Sequence, residues 1–368
     1  MDAFTTPLPK TWKKVRLGDI LSYEQPTKFL VATTQYLQKG FTPILTAGKT
    51  FILGYTNDKH GIYTNIPVII FDDFTTDSKM VNFPFKVKSS AIKILSLRDN
   101  NQADLKYIYE KLTLLKHQVT DHKRYWIDEF SNIEIPLPPL NEQAAIANIL
   151  SALDRYLYSL DALILKKESV KKALSFELLS QRKRLKGFNQ TWKKVRLGDI
   201  LSYEQPTKFL VATTQYLQKG FTPILTAGKT FILGYTNDKH GIYTNIPVII
   251  FDDFTTDSKM VNFPFKVKSS AIKILSLRDN NQADLKYIYE KLTLLKHQVT
   301  DHKRYWIDEF SNIEIPLPPL NEQAAIANIL SALGSEIISL KNKKRQFENI
   351  KKALNHDLMS AKIRVLNK

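Results

Sequence analysis

Apolar and polar positions alternate in short runs through residues 11–153 of this chain. The runs are rich in β-branched and aromatic residues, and turn signals such as AGK, TNDKHG and TTDSK separate them. Short apolar runs bounded by Gly, Asn and Asp clusters are typical of strands. The pattern therefore predicts a twisted, mostly β domain with strands over residues 41–45, 50–54, 66–71, 83–88 and 92–95.

Two further segments complete this predicted domain. Residues 104–115 place Leu105, Ile108 and Leu112 at helical spacing, so we expect one helix to cover the sheet. Residues 131–139 alternate apolar and polar positions and then meet prolines. Proline cannot donate a ladder hydrogen bond, so this segment is predicted to be an edge strand that leaves the domain.

A long amphipathic helix is predicted after these prolines, with Asn141 as its N-cap and Gly187 at its end. Its apolar positions are spaced alternately by four and three residues, which is typical of a coiled-coil seam. They are Ile146, Leu150, Leu153, Leu157, Leu160 and Ile164, and the corresponding later stripe is Ile326, Leu330, Leu333, Ile337 and Leu340. A helix of this length needs a partner to cover its stripe.

The whole pattern occurs twice. Residues 11–153 recur without a difference as residues 191–333, whereas the tails 154–188 and 334–368 have diverged. Parallel helices would require the few residues around Gly187 to span a distance of about 60 Å, which is beyond their reach. We therefore predict an α+β fold: two mixed α/β, β-rich domains joined by two long antiparallel helices in a coiled coil, a dumbbell with pseudo-two-fold symmetry.

Composition and charge narrow the functional classes. The net charge is +17, and most of the excess lies on the two tails. Nucleic acid is the obvious polyanionic partner, although a solvated helix face would give the same composition. The chain has no cysteine, which excludes disulfides and thiolate chemistry. We also expect a cytoplasmic protein, because the start lacks a secretory pattern and no apolar run approaches the length of a membrane span.

The ends of each domain carry a family resemblance. Each domain opens with TWKKVRLGDI, at Thr11 and Thr191, and closes with IEIPLPPLNEQAAIANILSAL, from Ile133 and Ile313. The chain thereby resembles the specificity subunits of Type I restriction-modification systems. The resemblance implies target recognition domains over residues 1–140 and 188–320 and conserved helical spacers over residues 141–187 and 321–368.

The resemblance also implies a function and partners. The chain would be a non-catalytic, sequence-specific DNA-binding subunit that directs two modification (methyltransferase) subunits and the ATP-dependent restriction subunits to a site on double-stranded DNA. It would hold no cofactor itself, and S-adenosylmethionine, ATP and Mg²⁺ would belong to those partners. Because the two domains are identical, we expect a bipartite palindromic target: two inverted half-sites with a non-specific spacer.

Candidate DNA contacts are polar side chains of loops, since such groups hydrogen-bond to base edges and phosphates. A loop lysine or tyrosine is more often solvated or packed, so each residue is an individual hypothesis. They are Lys49, Tyr55, Lys59, Thr76, Lys79, Lys88, Ser89, Arg124 and Tyr125, with Lys229, Tyr235, Lys239, Thr256, Lys259, Lys268, Ser269, Arg304 and Tyr305 in the second copy.

The helix starts offer a candidate docking site for the modification subunits. It consists of Glu142 and Gln143, with Glu322 and Gln323 in the second copy. The competing interpretation is that these residues complement the dipole at the start of each helix.

The sequence gives weaker support for metal-dependent cleavage, for nucleotide binding and for a histidine metal site. Asp72 and Asp73 with Lys86 and Lys88 resemble a nuclease metal site, but Val87 stands where an acid is needed, and the acids could instead order the following loop. The TAGKT run lacks the first glycine of a phosphate-binding loop, and the histidines are too scattered for a metal pair. An autonomous, tandem-duplicated DNA-binding protein or nuclease remains the alternative, and a scaffold for proteins alone is a third possibility.

Overall fold

Both copies fold into the same series of short strands in a computed structural model, which describes residues 8–32, 34–46, 50–115, 124–212, 215–226, 230–295 and 303–365. The first copy contains β1 (Lys13–Arg16), β2 (Leu21–Glu24), β3 (Thr42–Leu45), β4 (Ile52–Thr56), β5 (Val68–Asp72), β6 (Ser78–Val81), β7 (Lys86–Val87), β8 (Ile92–Leu97) and β9 (Glu134–Leu137). The second contains β10 (Lys193–Arg196), β11 (Leu201–Glu204), β12 (Thr222–Leu225), β13 (Ile232–Thr236), β14 (Val248–Asp252), β15 (Ser258–Val261), β16 (Lys266–Val267), β17 (Ile272–Leu277) and β18 (Glu314–Leu317).

Two sheets form the body of each domain. One is antiparallel with the strand order β2-β8-β5-β6, and the other has the order β4-β3-β7, in which β3 and β7 are parallel. Every residue of β5 is buried, which agrees with its unbroken apolar sequence. Every predicted strand has an observed counterpart, but β6 lies partly in a segment that the sequence analysis assigned to a turn.

Short helices cover the larger sheet. The first copy has α1 (Leu17–Ile20) and α2 (Leu105–Leu114). The Asp104 side chain caps α2 by accepting a hydrogen bond from the Tyr107 amide at 2.8 Å. Tyr107, Ile108 and Leu112 are buried on the side that faces the core, so the predicted covering helix is confirmed. The second copy repeats them as α4 (Leu197–Ile200) and α5 (Leu285–Leu294).

A two-stranded sheet connects each domain to a long helix. In the first copy β1 pairs with β9, placing Lys14 opposite Pro136. The helices that follow these strand pairs are α3 (Leu140–Leu179) and α6 (Leu320–Met359), each 40 residues long. Gln181 has a left-handed backbone conformation with φ of 63° just after α3, so the helix ends there and the prediction that it continues to Gly187 was wrong.

The chain divides into two compact units. Unit 1 comprises residues 1–160 and 343–368, and unit 2 comprises residues 161–342. Each unit therefore contains one domain, the first half of the helix that follows it, and the second half of the other long helix. These units cut through both helices, so the boundaries at residues 140, 187 and 320 remain a prediction.

Within each unit the two helical segments run antiparallel. In unit 1, Asp154 pairs with Lys351 at 2.6 Å, whereas the later Tyr156 packs against the earlier Phe347 with ring centroids 4.6 Å apart. In unit 2, Glu168 pairs with Lys341 at 2.6 Å, and Lys171 approaches the earlier residue Gly334. The stripe residues Ile146, Leu150, Leu160 and Ile164 are buried, as are Ile326, Leu330 and Ile337. The predicted antiparallel helices and their buried seam are confirmed within each unit.

One described helix also meets a simple test for a membrane span. The segment Leu320–Met359 contains an 18-residue window with a mean hydropathy of 1.3, which the sequence analysis did not anticipate. However, Ile326 and Leu330 pack into the core of unit 2, and Leu358 packs into the core of unit 1. Core helices pass the same length and composition test, so this is weak evidence for membrane insertion.

Candidate DNA interface

A chain of hydrogen bonds gathers several predicted DNA contacts beside the end of β3. The Lys88 amide donates to the Leu45 carbonyl at 2.8 Å, which holds the segment after β7 next to β3. The Ser89 hydroxyl accepts from the Ala91 amide at 3.1 Å and shapes the turn that leads into β8. Lys88 and Ser89 are thus fixed by the turn in which they lie.

The Asp73 carboxylate joins this turn to two other segments. The Asp73 amide donates to the Ala91 carbonyl at 2.8 Å, and Asp73 Oδ1 accepts from the amides of Tyr125 and Trp126 at 3.1 and 2.7 Å. The other oxygen, Oδ2, lies 3.1 Å from Lys93 Nζ, and both side chains are fully buried. Burial of such a carboxylate is tolerated only when it is paired and hydrogen-bonded. One buried acid therefore brings Arg124, which directly precedes Tyr125, beside residues 73–91.

The neighbouring Asp72 orders the turn after β5. Its Oδ1 accepts from the Phe74 amide at 3.0 Å and its Oδ2 from the Thr75 hydroxyl at 2.6 Å. Thr76 follows in the left-handed region with φ of 63° and remains half-exposed. Both acids therefore have structural partners. Among the described residues, the structure contains no cluster of His, Asp and Glu that could hold a metal ion.

We call the group formed by Thr76, Lys88, Ser89 and Arg124 the first surface. Arg124 is exposed, and the other three residues are half-exposed. Lys88 Nζ lies 5.7 Å from the centre of the Tyr36 ring, which restrains this cation without neutralising it. The second copy repeats the arrangement with Thr256, Lys268, Ser269 and Arg304.

A second surface lies at the opposite end of β3 and consists of Phe41 and residues 57–61. Thr42 pairs with Thr56, so Phe41 stands across from Asn57, whose side-chain oxygen accepts the Phe41 amide hydrogen at 3.2 Å. Asp58 pairs with Lys86 at 2.6 Å, and Lys86 also donates to the His60 carbonyl at 2.7 Å. These contacts fix the loop from β4, in which Lys59 is exposed.

Asp58 does not make this loop negatively charged, because Lys86 pairs with it. The hydrogen bond from Lys86, followed by the backbone hydrogen bond from His60, lowers the pKa of Asp58 below its ordinary value. Equivalent contacts lower the pKa of Asp238 to about 2. Because each aspartate is matched by a lysine, the exposed Lys59 and Lys239 give the loop its net positive charge.

The remaining predicted contacts are placed as follows. Tyr55 is half-buried on β4, close to the second surface, and Lys79 is exposed on β6, opposite Ile70. Tyr235, Lys239 and Lys259 repeat these positions in the second copy. Lys49 and Lys229 lie outside the described residues.

Tyr125 and Tyr305 require a correction. Both side chains are fully buried in the domain cores, so they cannot touch DNA in this structure. The sequence around them is polar, and their backbones are held by Asp73 and Asp253, which turns the rings inward. Their neighbours Arg124 and Arg304 are exposed instead.

Glu142 and Gln143 also require a correction, because they were expected to dock a partner. Both are buried: Glu142 accepts from Trp12 Nε1 at 3.1 Å, and the Gln143 side chain bonds to the Asp104 amide and to the Pro138 carbonyl. Glu322 and Gln323 have equivalent partners. These four side chains fasten each helix start to its own domain and are not available to a partner subunit.

Sequence reasoning missed the residues that hold the distant helix ends. Lys111 donates to the Met359 carbonyl at 3.0 Å in unit 1, and Lys291 donates to the Leu179 carbonyl at 2.6 Å in unit 2. Burial lowers the pKa of each lysine to about 8. The sequence contained one usable signal for these helix ends. Arg184 and Arg364, which follow α3 and α6, occupy equivalent positions 180 residues apart, although the tails around them have diverged.

Comparison with known proteins assigns the domains. The family model described as "Type I restriction modification DNA specificity domain" matches residues 9–167 and 189–349, which is most of the chain and covers both copies. The chain belongs to this family. Members of the specificity family select DNA and leave catalysis to other subunits, so this chain is a non-catalytic specificity subunit with two such domains.

Individual relatives agree with the family. The chain is 48% identical over 166 residues to the specificity subunit of the Type I restriction enzyme EcoR124I/EcoR124II from Escherichia coli, an alignment covering 44% of this chain and 39% of that protein. It is 24% identical over 409 aligned positions to the MjaVIII specificity subunit of Methanocaldococcus jannaschii, covering 98% and 95% of the two chains. The alignment thus spans well under half of the E. coli subunit but nearly all of the second relative.

A solved structure shares the fold. The crystal structure of the Type I restriction-modification S subunit from M. genitalium matches with a TM-score of 0.74 at 17% sequence identity, covering 96% of this chain and 98% of that one. At this identity the match speaks for the fold alone, and it agrees with the α+β architecture described above.

Proposed function

We propose that this specificity subunit reads a bipartite palindromic DNA target made of two identical inverted half-sites and a non-specific spacer. The first domain reads one half-site through the first surface, with Lys59, Tyr55, Lys79 and Lys49 as further contacts. Arg and Lys suit guanine edges and phosphates, whereas Ser and Thr accept or donate to either. The equivalent residues of the second copy perform the same role.

Equivalent ion pairs in the two units support the proposed palindrome. In unit 1, Arg364 at the end of the chain pairs with Glu142 at the start of α3. In unit 2, Arg184 after α3 pairs with Glu322 at the start of α6. Each unit therefore holds an arginine from the end of the other long helix in the same way. Duplex DNA has local two-fold axes of its own, so twin readers favour inverted half-sites.

The partner subunits have a different candidate docking site from the one first expected. Several large apolar side chains on the helices remain exposed, among them Tyr158 at 77% and Leu165 at 64%. Exposed apolar residues on a long helix favour packing of further helices. We propose that two modification subunits dock on these faces, and that restriction subunits join them to complete the complex in the cytoplasm. S-adenosylmethionine, ATP and Mg²⁺ act in those partners.

A reconstitution separates this function from an autonomous nuclease. The purified chain is incubated with duplex DNA and Mg²⁺, and then with S-adenosylmethionine and the modification subunit encoded with it. The proposal expects neither cleavage nor methylation by the chain alone and adenine methylation once the modification subunit is added. Cleavage by the chain alone, abolished by Asp72→Asn, would contradict the proposal.

A further inference from the structure

Phe41 is the most exposed large apolar residue among those that the structure describes in the first domain. Its side chain is 87% exposed, and the identical value at Phe221 shows that the second domain presents its ring in the same way. An exposed phenylalanine forgoes about 1.5–3 kcal/mol of burial free energy. Folding therefore does not explain why an aromatic ring stands at this position.

The backbone beneath the ring is held in place. The Phe41 amide donates to Asn57, and β3 begins with the next residue. The opposing loop is fixed by the pair between Lys86 and Asp58. Gly61 ends this loop with φ of +59°, and a Cβ there would lie 2.7 Å from the Lys28 carbonyl, so only glycine fits. The ring thus projects from an ordered platform.

The charge around the ring indicates the partner. Lys39 is exposed two residues before Phe41 in the sequence, and Lys59 is exposed on the opposing loop. Lys28 is also exposed, and its backbone carbonyl lies beside Gly61 at the end of that loop. Asp58 is offset by Lys86, so the platform carries a positive excess. A rigid apolar side chain within a cationic rim matches a nucleic acid, whose phosphates attract the lysines while its bases and sugars offer apolar faces. A docking site for a protein would require a wider apolar patch.

We propose that Phe41 and Phe221 place their rings against bases or sugars of duplex DNA, beside the half-site that each domain reads. This inference rests on the proposed DNA-reading function and adds an apolar contact to it. In each domain the exposed loop lysine, Lys59 or Lys239, neutralises a phosphate near the ring. The second surface is then part of the DNA interface and not a solvated loop.

The salt dependence of binding distinguishes the ring from the lysines. A phosphate contact releases counterions, so removing Lys59 together with Lys239 should reduce the slope of log affinity against log salt by about 2. An apolar contact releases none. Replacing both phenylalanines should weaken binding by about tenfold or more, as expected for loss of base–aromatic contacts, and leave the slope unchanged.

The test uses the full chain purified with its modification subunit and a labelled duplex carrying the target found by methylation mapping. Binding of the Phe41→Ala/Phe221→Ala variant is measured across a salt series, with Ile127→Ala/Ile307→Ala as the matched control, since these isoleucines are 49% exposed and lie outside both surfaces. The inference expects weaker binding by the phenylalanine variant alone. Affinity within about twofold of the unaltered complex, a changed salt slope, or loss of the modification subunit with unchanged DNA affinity would overturn it. If the unaltered complex shows no preference for the target duplex, the proposed function itself fails.

Discussion

Arg364 and Glu142 form a bidentate ion pair. Nε of the arginine lies 2.5 Å from Oε1 of the glutamate, and Nη2 lies 2.9 Å from Oε2. The same carboxylate accepts the indole hydrogen of Trp12, so the domain, the start of α3 and the end of the chain meet at one buried group. Arg184 and Glu322 repeat this relationship in unit 2. Planar, bidentate pairs of this kind fix the relative orientation of the two side chains and also contribute to stability.

Removal of Arg364 should loosen the end of α6 from unit 1. Arg364→Ala leaves the buried Glu142 without its cation, which should lower the free energy of unfolding by about 1–3 kcal/mol. Urea unfolding measures the loss, and hydrogen exchange should increase in residues 355–365. Lys362→Ala is the control, because its contact with Asp357 spans 4.0 Å at the surface and should contribute little. Equal stability of the two variants would show that the pair between Arg364 and Glu142 does not stabilise the end of α6.

The buried pair of Asp73 and Lys93 should be the most sensitive point of the first domain. Asp73→Asn leaves a buried ammonium without a carboxylate and should destabilise the protein by about 3–5 kcal/mol. Adding Lys93→Met removes that charge and should recover part of the loss. Thermal unfolding of both variants provides the measurement. If the double variant proves no more stable than Asp73→Asn, charge burial is not the cause of the defect.

The lysines that hold the helix ends should give stability a dependence on pH. Burial lowers the pKa of Lys111 and Lys291 to about 8, below the ordinary value of 10.5. Between these two values the unfolded chain binds more protons than the folded one, so their contribution to stability increases as pH rises through this interval and is lost as pH falls toward 8.

The Lys111→Met/Lys291→Met variant isolates this effect, because methionine is an unbranched side chain only one atom shorter than lysine and carries no charge. The difference in unfolding free energy, unaltered protein minus variant, should become more favourable to the unaltered protein between pH 8 and pH 10.5. Urea unfolding at several pH values measures it. A difference that stays constant over the interval would show that these ammonium groups titrate normally.

Gly334 marks an asymmetry between the two units. In unit 1, Asp154 pairs with both Lys106 and Lys351. The equivalent position in unit 2 is Gly334, which lines a cavity of about 470 Å³ together with Lys171 and Glu290. Gly334→Ala should stabilise the protein by about 0.5–1 kcal/mol, because glycine is unfavourable inside a helix. Gly334→Asp should add an ion pair with Lys171, whose Nζ lies 3.3 Å from the position of the new Cβ. Thermal unfolding compares the variants, and a destabilising Gly334→Ala would show that the cavity cannot accommodate a side chain.

Local patterns predicted much of the fold. The runs around Ile44, Ile69 and Ile94 become strands because their apolar composition suits a buried sheet, and the stripe from Ile146 to Ile164 becomes a helix whose seam is buried. The end of α3 was misplaced because Gln181 adopts the left-handed conformation, which glycine adopts more readily. Strand β6 was missed because Ser78 and Lys79 have the composition of a turn, and pairing with β5 overrides it.

The candidate site was less predictable because burial depends on tertiary packing. Tyr125 and Arg124 are adjacent in the sequence, yet Asp73 turns one residue into the core while the other remains exposed. Glu142 has the sequence context of an exposed helix start, but it is buried and pairs with Trp12 and Arg364, which lie far from it in the chain. Phe41 reads as a strand residue, and its exposure follows from its position just before the start of β3. Each outcome depends on residues far away in the chain, which periodicity does not encode.

Mapping of methylated adenines across the genome of a strain carrying this subunit with its modification and restriction partners tests the central claim most directly. The account predicts one motif whose two specified halves are reverse complements separated by a fixed number of unspecified bases. Replacing Lys88 alone, in one domain, should relax recognition in one half only. A reproducibly asymmetric motif in the unaltered system would contradict the claim that two identical domains read two inverted half-sites.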